Sequence, residues 1–75
     1  MKKTLVNVEW IALKGGFIRP TKIHWEDGRS WKISQVLHMS TFADEDFEGI
    51  RYTLLIDGAE KYLYRDGTKW YVVPV

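Results

Sequence analysis

Cysteine is absent from this 75-residue chain, which excludes disulfide staples and thiolate metal sites. Long apolar runs are absent too. The longest, residues 70–75, is far short of the roughly 20 residues that cross a bilayer, so no membrane is expected as a partner. The basic start Met1-Lys2-Lys3 is followed by a stretch carrying Asn7 and Glu9, which breaks the continuous apolar core that a signal peptide needs. A cytoplasmic protein is the expectation. Charge of one sign is also lacking: 11 basic and 10 acidic side chains leave a net charge of +1. A domain held to nucleic acid by its phosphates usually carries a larger basic excess.

What the chain has is aromatic residues. Four Trp, four Tyr and three Phe make up 15% of it. A domain this short buries only about 60–65% of the surface its unfolded chain exposes. Rings that each cover roughly 150–250 Å² supply a core dense enough for one domain spanning residues 1–75. So small a core is also a reason to self-associate.

Glycine sets the punctuation, as Gly15-Gly16, Asp27-Gly28, Asp57-Gly58 and Asp66-Gly67. Asp-Gly between β-rich runs is a strong hairpin signal, because the tight turn needs positive φ. These bends divide the chain into segments 4–13, 17–25, 29–40, 50–56, 60–65 and 69–73, all short and rich in β-branched or aromatic residues. The pattern predicts an all-β fold: a small SH3-like barrel or a curled five- to six-stranded antiparallel meander. An open twisted sheet that dimerises to cover one face is the second possibility.

Several local features can be read further. Val6, Val8 and Trp10 lie on one face of the first segment and Ile11 and Leu13 on the other, and a bulge or a barrel corner near residues 9–11 would reconcile them. Pro20 has no N–H to donate, which marks an edge or a bulge. A three-residue loop at Glu26-Asp27-Gly28 pairs Ile23 with Trp31, Trp25 with Arg29, Lys22 with Lys32 and His24 with Ser30, separating apolar from polar faces. Arg29 can then lie over the Trp25 ring. In the long connection from Thr41 to Gly49, Thr41 is placed to cap a single helical turn, Phe42 and Phe47 to pin it, and Asp44, Glu45, Asp46 and Glu48 to face water.

The runs Gly16-Phe17-Ile18-Arg19-Pro20, Ile23-His24-Trp25-Glu26-Asp27-Gly28-Arg29, Gly49-Ile50-Arg51-Tyr52-Thr53, Tyr62-Leu63 and Asp66-Gly67-Thr68-Lys69-Trp70-Tyr71-Val72 cover nearly the whole chain. In them the sequence resembles a group of short proteins of Gram-positive bacteria to which no activity is assigned. The resemblance implies a bacterial, cytosolic, stand-alone domain and carries over no functional residues.

No catalytic constellation is legible, and an enzyme is not expected. His24 and His38 are 14 residues apart without the further ligands zinc needs, so no metal and no cofactor are expected. Ser30, Ser34 and Ser40 form no recognisable triad with them. The acidic run 44–48 lacks the spacing of a calcium loop. The candidate binding surface is cationic and aromatic: Arg51, Lys61, Arg65 and Lys69 interleave with Tyr52, Tyr62, Tyr64, Trp70 and Tyr71, and Lys22, Lys32 and His24 share the outer side of the Asp27-Gly28 hairpin. Strand alternation leaves open whether Leu63 or the two tyrosines point inward. Two functions follow: an interaction module that binds a protein partner or itself as a homodimer through an aromatic face, or a weak nucleic-acid binder that stacks bases beside cations.

Overall fold

A computed structural model of the chain describes residues 3–73. The start Met1-Lys2 and the last two residues of the apolar run 70–75 lie outside them. Seven antiparallel strands follow one another: β1 (Thr4–Ala12), β2 (Ile18–His24), β3 (Ser30–Lys32), β4 (Gln35–Ala43), β5 (Glu48–Ile56), β6 (Ala59–Asp66) and β7 (Lys69–Val72). They form one curled sheet in the order β3-β2-β1-β7-β6-β5-β4. The meander expected from the turns is present, and β7 pairs with β1 to join its two halves.

The seventh strand arises because segment 29–40 breaks in two. The Ile33 N–H donates to the Thr21 carbonyl, and the next N–H, of Ser34, donates to the Leu55 carbonyl. One extended stretch thus leaves β2 and joins β5 within two residues, so β3 and β4 stand at opposite ends of the sheet and yet are continuous in the chain.

Turn chemistry sets the registers. Asp57 (φ 50°) and Gly58 (φ 76°) are both left-handed, as the mirror-image two-residue turn requires, and Ile56 pairs with Ala59 across it. The β2–β3 hairpin has the three-residue register: Lys22 opposite Lys32, Ile23 opposite Trp31 and His24 opposite Ser30, with Gly28 at φ 91°. The Arg29 guanidinium lies 5.8 Å from the Trp25 ring centre and 5.5 Å from that of Trp31. The β6–β7 turn falls on Gly67-Thr68, one residue beyond the Asp-Gly pair, because Asp66 still pairs with Lys69.

A bulge does occur opposite Glu9 and Trp10, but the extra residue is Thr21 on β2: Glu9 pairs with Lys22 and Trp10 with Pro20. It leaves the alternation of β1 unchanged. The bulge expected near residues 9–11 is thus present, but it does not gather the two sets into one core: Trp10, Ile11 and Leu13 all stay exposed. The helical turn expected at Thr41 is absent as well. Residues 41–43 continue β4, pairing with Ile50, Gly49 and Glu48, and only Asp44–Phe47 forms the loop. Ladder hydrogen bonds along β5 outweigh one capped turn here.

The inner face carries the core: Val6, Ile23, Ile33, Tyr52, Leu54, Leu63 and Trp70, with Tyr52 and Trp70 rings 5.6 Å apart. Leu54 and Leu63 are wholly buried. Burying one such side chain stabilises the fold by roughly 1.5–3 kcal/mol. A second apolar layer sits on the outer face. Phe47 folds back over the sheet and meets Tyr64 (5.6 Å) and Tyr71 (6.1 Å), and Phe42 meets Tyr64 at 5.4 Å. Gly49 makes room for this, since a Cβ there would stand 2.8 Å from the tip of the Phe47 ring.

Candidate functional site

Leu63 points inward, which settles the choice the sequence left open: Tyr62 and Tyr64 take the outer face. Their fates differ. Tyr64 is buried under Phe47, whereas Tyr62 is 47% exposed. Arg51, also outward, has its guanidinium carbon 4.6 Å from the Tyr62 ring centre and 4.9 Å from that of Phe42. Lys69 is exposed on the same side, paired in register with Asp66.

Arg65 and Lys61 alternate to the opposite face. Arg65 is half-buried against the core: Nη1 donates to the Tyr52 hydroxyl at 3.2 Å and its guanidinium carbon lies 5.8 Å from the Trp70 ring. The strip of Arg51, Lys61, Arg65 and Lys69 expected from the sequence is therefore not assembled. Strand alternation divides it between two faces, and Arg65 is committed to Tyr52 and Trp70.

Lys22, Lys32 and His24 do share the outer side of the β2–β3 hairpin. Glu9 joins them. Its Oε2 lies 2.5 Å from His24 Nε2. The bond from His24, together with the charges of His24 and Lys22, holds the Glu9 carboxyl below the usual glutamate range. The surface is thus partly neutralised from within. Among the described residues, no group of three or more His, Asp or Glu side chains could hold a metal ion, and no helix is long and apolar enough to cross a membrane.

The feature that the sequence reading missed is the open side of the sheet. β2 and β4 diverge from the crossing at Ile33–Ser34 and leave a groove of about 430 Å³ between them. Leu13, Phe17, Ile18 and Arg19 form one bank, and Gln35, Val36, Met39 and Tyr52 line the other side. Phe17 is 54% exposed and Met39 36%. Ile18–Pro20 carry a strand partner only on the β1 side, and β4 only on the β5 side. The signal was present in the sequence: Leu13 and Phe17 flank the Gly15-Gly16 bend, and both are exposed in the fold.

No family model, curated protein or solved structure matches the chain. Any function must therefore be argued from its own surface. An open groove bordered by strand edges offers main-chain donors and acceptors together with apolar side chains. That is the chemistry that binds an extended polypeptide.

Proposed function

We propose that this chain is a non-enzymatic interaction module that receives an extended segment of a protein along its open side, between β2 and β4. The observation that carries the reading is the groove itself, apolar and bordered by two strand edges without partners on that side. Exposed apolar side chains are ordinary when scattered, but here Leu13, Phe17 and Met39 flank unpaired main chain, the combination used in strand addition. The division of the cations between two faces supports a protein partner over a nucleic acid, which needs them gathered along one track.

The test is a selection of displayed random peptides on the immobilised domain, followed by NMR titration of the winners. Binders should be extended and apolar, saturate below about 100 μM, and shift the amides of Ile18, Arg19, Val36 and Met39. A selection on monomeric domain that yields no peptide acting on these amides would refute the reading.

A further inference from the structure

We infer that the segment received on the open side is β4 of a second copy, so that the chain forms a dimer with two β4 strands paired antiparallel about a two-fold axis. This rests on the reading of the open side given above. The two terminal strands of the sheet differ in how they discourage pairing. β3 is three residues long and sets Lys32 beside Lys22, both devices that blunt an edge. β4 is nine residues long and reads Gln-Val-Leu-His-Met-Ser-Thr-Phe-Ala, with no Lys, Arg, Asp or Glu, no proline and no glycine. Its one irregularity is at Leu37, the extra residue between Val36 and His38; from His38 to Ala43 its pairing with β5 is regular. A long, neutral, regular edge strand is a template for another strand.

Charge identifies that strand as a second β4. A two-fold axis at Ser40 places Met39 against the partner's Thr41 and His38 against the partner's Phe42, so no like charges meet. The same register brings the turn after β4, with Asp44 and Glu45, to the level of the partner's Val36. Arg19 lines the groove beside Val36. An acidic turn of each copy therefore meets a cation of the other, and the two-fold makes this contact twice. Pairing about a closed two-fold axis uses up the long β4 edge of each copy; the edges left are the short, lysine-bearing β3 and the Ile18–Pro20 stretch of β2, which ends in a proline.

The experiment is sedimentation equilibrium of the full chain over a wide concentration range, with three variants. Wild type should dimerise below about 100 μM. Ser40→Lys and Ser40→Asp should each be monomeric, with the circular dichroism of wild type, because each sets like charges at the axis. Mixed, they should form a one-to-one dimer. Arg19→Glu, off the pairing edge, should raise the dissociation constant at least about tenfold. Should a Ser40 variant unfold, nuclear Overhauser contacts between the Ser40 Hα protons of labelled and unlabelled wild-type copies report the same pairing.

A wild type that stays monomeric at about 1 mM overturns the dimer, while selected peptides that still shift Ile18 and Met39 leave the open side as a binding site. A dimer indifferent to all three variants overturns the β4 pairing. A monomer that also binds no peptide overturns both.

Discussion

Replacing Gly49 with alanine would set a Cβ 2.2 Å from the carbonyl oxygen of Arg65 and 2.8 Å from the Phe47 ring, where ordinary contact begins at 3.4 Å. The ring can swing aside, but the carbonyl is main chain in the β5–β6 ladder, next to the Ile50–Arg65 pair. Relief requires the two strands to part by about 1.2 Å locally, an overpacking expected to cost about 3 kcal/mol, the upper end of the usual range. A domain of this size is expected to hold about 4–11 kcal/mol in all, and each kcal/mol moves its midpoint by about 4–8 °C. Gly49→Ala should therefore lower the melting temperature by about 12–24 °C. Urea unfolding followed by tryptophan fluorescence should show the same loss with an unchanged slope. Gly58→Ala is the control. Its φ of 76° is unfavourable for alanine, yet nothing lies within 4 Å of the new Cβ. That substitution should cost only the conformational penalty of about 1–2 kcal/mol. A Gly49→Ala protein within about 0.5 kcal/mol of wild type would show that β5 and β6 do not approach as closely as described.

Leu63→Ala, at a wholly buried position, should lose about 2–5 kcal/mol, enough to leave a measurable unfolded fraction at 37 °C; a loss below about 1 kcal/mol in urea titration would contradict the core assignment. Glu9 titrates below its ordinary range because His24 bonds its ionised form. Its stabilising contribution is thus complete above the unfolded pKa of about 4.3 and disappears as pH falls through the lowered folded value. Glu9→Gln should flatten the acid-side dependence, and a carboxyl carbon titration placing Glu9 at or above the ordinary value would refute the pairing. Oligonucleotides, single- or double-stranded, should show no saturable binding at about 150 mM salt, since the cations are split between faces; tight binding with a steep salt slope in fluorescence anisotropy would restore the nucleic-acid reading.

Local chemistry made much of the architecture legible. The Asp57-Gly58 turn and the β2–β3 register follow from backbone sterics and face separation, both of which act over a few residues. The break at Ile33–Ser34 did not announce itself, because both halves read as strand and only tertiary pairing separates them. The outer aromatic layer was half visible: Phe42 and Phe47 were expected to pack down, but a single-core picture could not place Tyr64 beneath them. The cationic strip failed for a simpler reason. Closeness in sequence says nothing about which face alternation assigns, and Arg51 and Arg65 end on opposite sides of the sheet.

The pairing of β1 with β7 has a mechanical consequence. Thr4 lies opposite Val72, Leu5 opposite Tyr71 and Val6 opposite Trp70, so the chain enters and leaves the domain side by side. A load pulling those two ends apart would act across this short ladder and peel it one pair at a time, instead of shearing all its bonds together. The domain should yield at low force, opening first at Thr4 and Val72 and giving way fully once Val6 and Trp70, both buried, are drawn from the interior.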